Sequence, residues 1–208
     1  MIITKFQNAN ILKKKSKRGF TLVEMIGVLA IIMIIAGMLV PKILDAIVSS
    51  RINVTIQAYN TLKAASVENF VKWGKFANTD GTQYVGNSFD AILLQEGRID
   101  ARAFDKVRLN KLINSTNIYL EVVSGPGNYN NTGYKLDGIN NTTQNASYTV
   151  QLVIIGAPRQ DAIELSRRLD GPNLANPVGG GNDSSGIVEF RFYNYGKTAD
   201  MYIYIAHQ

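Results

Sequence analysis

The most constraining feature of the sequence is an apolar run that follows a basic cluster. From Met25 to Val40 every residue is apolar, Gly or Ala, and Glu24 is the one formal charge between Phe20 and Val40. As an α-helix, this stretch of about 21 residues covers about 30 Å, the thickness of the hydrocarbon core of a bilayer. The basic residues before it are Lys13, Lys14, Lys15, Lys17 and Arg18. Because positive charge favours the cytoplasmic side, the sequence predicts one membrane span with a cytoplasmic N-terminus.

Glu24 is unusual because a carboxylate in an apolar span is costly and usually marks a function. If the chain were cut after Gly19, a new α-ammonium group would form at Phe20, within about one helical turn of Glu24. The same pair of charges could form between neighbouring chains and neutralise both as two apolar helices pack. The alternative is an ordinary signal anchor, in which Glu24 lies at the interfacial end of the helix and extends to the lipid headgroups.

The residues around this carboxylate resemble a known processing signal. The sequence GFTLVE at residues 19–24, after a leader rich in Lys and Arg, is similar to the class III signal peptide of type IV pilins and of type II secretion pseudopilins. The resemblance implies that a prepilin peptidase cleaves between Gly19 and Phe20 and methylates the new N-terminus of Phe20. It also implies that Glu24 meets the terminal amine of a neighbouring subunit during assembly. The motif covers only the N-terminal part of the chain.

Pro41 directly follows the apolar run, where it removes a helix hydrogen bond and crowds the preceding turn. Apolar residues nevertheless continue beyond it, largely at steps of three and four, with polar residues between them. They are Ile43, Leu44, Ile47, Val48, Ile52, Ile56, Tyr59, Leu62, Phe70 and Trp73. We therefore predict one helix from Phe20 to about Lys75, with a kink or a locally melted turn at Pro41. Gly37 would ease such unwinding, or could equally be a close-packing site.

The remaining sequence predicts a small α+β head. A short helix is expected over Phe89 to about Glu96, and another over about 159–169. Ser124 to Ala146 is rich in Gly and Asn and is predicted to be a long loop, with room for a hairpin near Tyr134. Stretches with strand patterns are 117–123, 147–155, 187–194 and 201–206. The expected fold class is α+β, with the long N-terminal helix packed against an antiparallel sheet of about four strands.

The expected domain organisation follows from these elements. Residues 1–19 form a cleaved leader, 20–47 the membrane-spanning and filament-core half of the long helix, and 48–208 the globular head. The expected parts of the head are the amphipathic half-helix 48–75, the helix–sheet connection 76–116, and the sheet with its inserted helix, 117–208.

Composition excludes several function classes. Residues 1–19 hold six of the 22 Lys and Arg residues and no acid, so the remaining 16 basic residues balance the 16 Asp and Glu residues. The exported part is therefore formally neutral, and its charge gives no support for nucleic-acid binding. The sequence has no Cys, one His, no metal-ligand cluster and no phosphate-binding loop, so no enzymatic activity and no cofactor are predicted.

A loop near the C-terminus offers oxygen ligands to a hard cation. Asp170, Asn173, Asn176 and Asp183 lie in one Gly-rich stretch. The resemblance adds that major pseudopilins of type II secretion hold calcium in a C-terminal loop, although EF-hand spacing is lacking here. Solvated turn residues are the simpler interpretation. Without Cys, this loop must be held by hydrogen bonds, packing or an ion.

The resemblance implies a structural subunit of a type IV pilus, acting in adhesion, motility or DNA uptake. It would wait in the inner membrane as a single-pass precursor, with its head outside the cytoplasm, and polymerise into an extracellular helical filament. Implied partners are the membrane, a prepilin peptidase, an inner-membrane assembly platform and further copies of the chain. One alternative is a type II secretion pseudopilin. Another, from a different class, is a single-span surface receptor or adhesin with a coincidental motif.

Overall fold

The computed structural model describes residues 19–100, 117–174 and 181–208. Three helices and a sheet make up these parts of the chain. The helices are α1 (Leu22–Trp73), α2 (Phe89–Gln95) and α3 (Arg159–Asp170). The strands are β1 (Asn117–Ser124), β2 (Tyr148–Pro158), β3 (Val188–Tyr193) and β4 (Thr198–His207). All neighbouring strands are antiparallel, in the order β1-β2-β4-β3, so the predicted α+β class with a long helix and a four-stranded sheet is confirmed.

The chain divides into two compact units, Met1–Leu44 and Asp45–Gln208. In the described part of the first unit, every residue from Leu22 onward is helical, Pro41 included, and every side chain is exposed. The helix therefore continues past Pro41, as predicted from the apolar residues that follow it.

The second unit holds the hydrophobic core. Within α1, Ile52, Tyr59 and Leu62 are buried and belong to one cluster with the inner face of the sheet. The Tyr59 hydroxyl donates to the carbonyl of Tyr204 on β4 at 2.9 Å, which fixes helix and sheet relative to one another. Of the predicted stripe, Ile47 is exposed, so burial begins later along the helix than the sequence pattern suggested.

The strands lie where predicted, but their ends differ: β2 and β4 are longer than expected, and β3 is one residue shorter at each end. β2 extends to Pro158 and β4 begins at Thr198, because these two residues pair with each other across the sheet. The connection between β3 and β4 is accordingly a short 3-10 turn, Asn194–Gly196.

The loop between β1 and β2 packs on the outer face of the sheet and contains no strand. Tyr134 is fully buried, and its hydroxyl donates to Gln151 on β2 at 2.7 Å. Asn128 holds the loop together by accepting from the backbone of Asn130 and Thr132. The hairpin considered near Tyr134 is therefore absent, because side-chain hydrogen bonds satisfy the backbone in place of a strand ladder.

Both edges of the sheet carry a short backbone bridge. At the β1 edge, Gly86 and Val122 exchange two hydrogen bonds of 2.9 Å. At the β3 edge, Asp183 and Phe190 exchange two of 3.0 Å. Segments outside the sheet thus occupy part of each outermost strand.

Candidate functional site

The start of α1 brings the predicted assembly carboxylate into a defined geometry. The backbone N–H and the hydroxyl of Thr21 donate to Glu24 Oε2 at 2.8 and 2.9 Å. In return, the backbone N–H of Glu24 donates to Thr21 Oγ1 at 3.3 Å. This reciprocal pair is a capping box, in which Thr21 is the N-cap and Glu24 the third residue of the helix. The spacing Thr-x-x-Glu would have predicted it, and the sequence interpretation missed this role.

The site is open in the single chain. Phe20 is 80% exposed, and Glu24 is exposed as well. Oε2 of Glu24 accepts from the backbone N–H of Thr21. Cleavage after Gly19 would create the new amine on Phe20, the residue directly before Thr21. Since the capping bonds involve Oε2, and no described residue donates to Oε1, the carboxylate can accept from an incoming cation without losing its cap.

A comparison with protein-family models gives one match at this segment. Residues 14–40 match the prokaryotic N-terminal methylation motif. This motif is the class III signal peptide of type IV pilins and pseudopilins. The chain therefore carries a prepilin-type signal at its N-terminus. No curated protein and no solved structure matches it.

Length and composition of α1 agree with this motif. Among the described residues, Leu22–Trp73 is the one helix long and apolar enough to cross a membrane. A prepilin-type signal followed by such a helix is consistent with a single-pass, membrane-anchored precursor. The leader residues 1–18 lie outside the described residues.

The two residues predicted to allow bending lie in open surroundings. A Cβ atom added at Gly37 would meet nothing within 4 Å, and Pro41 is exposed. The single chain therefore contains no contact that requires Gly at this position. The proposed role of Gly37 and Pro41 in a kink stays a prediction.

Two of the four predicted calcium ligands come together. Ser166 Oγ lies 3.0 Å from Asp183 Oδ2 and 3.4 Å from Asp170 Oδ2. Asp170 also accepts from the backbone N–H groups of Ile187 and Val188. Burial raises the pKa of Asp170 to about 6.

The other two candidates do not join this pair. Asn173 is exposed in the turn after α3, and Asn176 lies outside the described residues. Donors of the chain itself already contact both carboxylates, and Asp183 is buried, so this pair does not consist of solvated turn residues but of structural hydrogen-bond acceptors. Calcium binding stays a prediction.

The same contacts suggest how a C-terminal loop can be held without a disulfide. Asp170, at the end of α3, accepts from the backbone N–H groups of Ile187, directly before β3, and of Val188, the first residue of β3. Gly186 has φ +85°, and a side chain there would collide with the Asp170 carboxylate. The loop is thus fixed at both ends by charge-assisted hydrogen bonds, which are among the stronger kind in proteins.

A second polar hub, Glu96, was missed at the sequence level. Its side chain accepts from Arg98 at 2.6 Å and from Asn69 and Trp73 at 3.0 Å each, which ties the end of α1 to the segment after α2. Burial alone would raise the pKa of Glu96, but these hydrogen bonds and one from Lys72 outweigh it and hold the pKa at about 2. This hub is structural rather than catalytic, since its oxygens are occupied by the chain itself.

Glu189 is the third residue that the sequence did not reveal. It lies on β3 beneath the β1–β2 loop and is fully buried, and neither carboxylate oxygen has a hydrogen-bond partner among the described residues. Burial raises its pKa to about 8. No local pattern in the sequence marks Glu189 as a residue that a distant loop covers.

Proposed function

We propose that this prepilin-type protein is a structural subunit of a type IV pilus. It is cleaved between Gly19 and Phe20, methylated at Phe20 and polymerised from the inner membrane into a helical, extracellular filament. The observation that carries the proposal is the apolar surface of α1, which is exposed from Leu22 to Leu44 and overlaps the N-terminal methylation motif at residues 14–40. A continuous apolar surface of this size requires lipid or other copies of the same helix to cover it.

Glu24 supplies axial register in this proposal. Lipid and apolar side chains are equally apolar, so association of helices in a membrane depends on packing and on polar contacts. A carboxylate paired with the Phe20 ammonium of a neighbouring copy compensates two charges that are costly apart. The capping box holds the Glu24 side chain at the helix start and therefore presents it in one place.

The proposed partners are further copies of the chain, a prepilin peptidase and an inner-membrane assembly platform. The exported surface acts by assembly, not by enzymatic catalysis. A type II secretion pseudopilin is the alternative within the same class. A retraction ATPase encoded nearby favours the pilus, whereas export genes with a secretin alone favour the pseudopilin. A single-span receptor or adhesin would need no filament.

The test separates the charge of Glu24 from its capping role. Glu24→Gln keeps an acceptor for the capping box but removes the negative charge, since Glu and Gln both serve at this position. Glu24→Ala removes both the charge and the acceptor for the N–H of Thr21. We expect both variants to be cleaved and both to form few or no filaments. Glu24→Asp, with a shorter arm, should lie between them and the wild type.

Filaments are counted by electron microscopy of sheared surface material, and processed subunit is measured by immunoblot. Glu68→Gln is the matched control, because Glu68 is an exposed carboxylate on the same helix. Normal filament numbers from processed Glu24→Gln subunits would reject the charge pair and leave Glu24 as a helix cap. Processed wild-type protein that remained monomeric in every condition would favour the anchored receptor.

A further inference from the structure

We propose that the turn between β3 and β4 is a membrane-contact surface, which rests on lipid headgroups while the subunit is anchored in the bilayer. The turn patch consists of Tyr193, Tyr195 and Lys197, together with Arg159, the first residue of α3. The inference rests on the membrane-anchored precursor of the proposed function and adds to it a contact between the head and the lipid surface. It does not require a filament.

Tyr195 is the residue of the patch that points to a partner outside the chain. Its side chain is fully exposed, so the single chain provides no buried contact for the ring. Its backbone has φ 57° and ψ 34°, a left-handed conformation that bulky residues rarely adopt. The chain thus holds a strained backbone here without burying the side chain. Strain of this kind is concentrated at functional sites, so the ring is available to a partner.

A second tyrosine and a fixed arginine extend the patch. Tyr193, at the end of β3, is 42% exposed. The Arg159 guanidinium lies 4.4 Å from the centre of the Phe192 ring, and this contact limits its movement. Tyrosine is enriched at membrane–water interfaces, because its ring can lie among apolar groups while its hydroxyl stays among the headgroups.

The turn patch carries a local excess of positive charge. Residues 191–198 include Arg191 and Lys197 but no Asp or Glu, and Arg159 adds a third positive charge. Asp161, the acid that follows Arg159 most closely in the sequence, is buried and exposes almost no carboxylate. The exported part as a whole is formally neutral, so this excess is a property of the patch. Anionic headgroups attract basic residues that lie close to a membrane surface.

The patch lies at the end of the head where α1 enters it. Val48 of α1 lines one pocket with Lys197, the residue directly before β4. At the other end of β4, the N–H of Phe76, just after α1, donates to the side chain of Gln208 at 3.2 Å. The strand between these two contacts has 10 residues and covers about 33 Å. Lys197 therefore marks the entry end of the head and Gln208 the far end.

The chain between the apolar run and this entry end is short. Val48 follows Val40, the last residue of the run, by eight positions. Eight residues cover about 12 Å as a helix and at most about 29 Å when fully extended. The headgroup layer adds about 5–8 Å on each side of the hydrocarbon core. The turn patch therefore stays within reach of the headgroups for as long as the run spans the bilayer.

A lipid surface supplies both kinds of contact that the patch can make. The upper parts of the acyl chains accept the two tyrosine rings, and the phosphate groups accept the arginine and the lysine. A bilayer is also the partner that an anchored chain always has beside this end of the head. Docking of this kind orients the waiting subunit, and departure from the bilayer then requires the turn patch to detach.

Fluorescence quenching tests the contact directly. The processed full-length protein is placed in phosphatidylcholine–phosphatidylglycerol nanodiscs at one chain per disc, with a nitroxide on some of the phosphatidylcholine headgroups. The wild type has one Trp, Trp73, at the far end of α1, and its emission is the background. Tyr195→Trp adds an indole at the turn. We expect the added emission to be largely lost to the headgroup label, while the emission of Trp73 is retained.

Lys197→Gln, made in the Tyr195→Trp protein, tests the contribution of charge. We expect the ratio of docked to undocked heads to fall about fivefold in the anionic discs and to stay unchanged in pure phosphatidylcholine. Folding should be unaffected, because the Lys197 side chain is exposed. Lys75→Gln is the matched control, since it removes the same charge next to Phe76, at the far end of the head, and it should leave the ratio unchanged.

Hydrogen exchange of the wild type provides a readout without any substitution. The amides of residues 193–198 should exchange more slowly in anionic discs than in pure phosphatidylcholine discs. An exchange rate that does not respond to lipid composition, or an added indole quenched no more than Trp73, would overturn the proposal. Equal effects of Lys197→Gln and Lys75→Gln would overturn it as well.

Two further outcomes separate this contact from its alternatives. A change in the added emission that requires two chains per disc and no label would assign the patch to a second copy and overturn the lipid contact. A chain that does not co-elute with the discs would contradict the anchoring and the contact together. Filaments are absent from this assay, so a quenched turn beside a failed filament assay would reject the pilus and leave the contact standing.

Discussion

Replacing Glu189 by Gln should remove most of the pH dependence of head stability above pH 6. Glu189 is fully buried, and burial raises its pKa from 4.5 to about 8, helped by the charge of Asp183. A polar interaction with the Asn128 side chain and the positive charge of Lys135 lower the pKa of Glu189, but they do not cancel the effect of burial. Between these two pKa values the folded state keeps a proton that the unfolded state loses. Stability is therefore fully present below pH 4.5 and is lost as the pH rises through the folded-state pKa.

The magnitude follows from the linkage relation. One group that releases its proton only on unfolding changes the free energy of unfolding by about 1.4 kcal/mol per pH unit. Over the two units from pH 6 to pH 8, the wild type should therefore lose about 2–3 kcal/mol. The pKa of Asp170 is about 6, so its contribution to the free energy of unfolding changes mainly below pH 6 and adds little between pH 6 and pH 8. Glu189→Gln should lose less than about 1 kcal/mol and be the more stable protein above pH 8.

The assay is urea unfolding of the fragment 48–208 at half-unit pH steps, followed by fluorescence. Glu68→Gln makes the same substitution on an exposed residue and should keep the wild-type slope. Parallel curves for wild type and Glu189→Gln between pH 6 and 8 would refute the reasoning, because another group would then be releasing the proton.

Three further predictions concern processing, folding and the loop near the C-terminus. Mass spectrometry of the mature protein should find methylated Phe20 at the N-terminus, and Gly19→Val should accumulate precursor; a mature chain starting near residue 36 would contradict this. The fragment 48–208 should be soluble, monomeric and insensitive to reductant, because the sequence has no Cys; an insoluble or unfolded fragment would mean that the proposed boundary is wrong. Ser166→Ala should destabilise that fragment by about 1–3 kcal/mol, since it removes the hydroxyl between the carboxyl groups of Asp170 and Asp183, and an unchanged urea midpoint would show that this hydroxyl is dispensable.

The parts of the fold that were predicted correctly show a regular spacing of apolar residues within one short segment of the sequence. The helix through Pro41 and the four strands were recognisable because apolar residues repeat at three or four, or at two, over a single segment. The methylation motif was recognisable because its residues, GFTLVE, are contiguous, and the assembly role of Glu24 that the motif implies stays a prediction. The capping role of Glu24 was also accessible from spacing, since Thr21 precedes it by three residues.

The parts that escaped prediction depend on contacts between distant residues. Tyr134 is buried because its hydroxyl meets Gln151 across the sheet face, and no local pattern marks a Gly- and Asn-rich loop as a cover. Arg51 and Arg159 line one pocket although they come from different helices more than a hundred residues apart. Such juxtapositions are decided by tertiary packing, so a single sequence leaves them open.

The two bridges at the sheet edges have a consequence for crowding. Gly86 at one edge and Asp183 at the other occupy backbone groups that would otherwise be free to pair with another chain. Exposed strand edges are templates for amyloid-like stacking, and the danger grows with local concentration. Heads that share a membrane surface or a common fibre meet each other far more often than free molecules do. Edges that are already occupied let such heads crowd together while their sheets remain separate, so contact between copies is left to surfaces other than the strands.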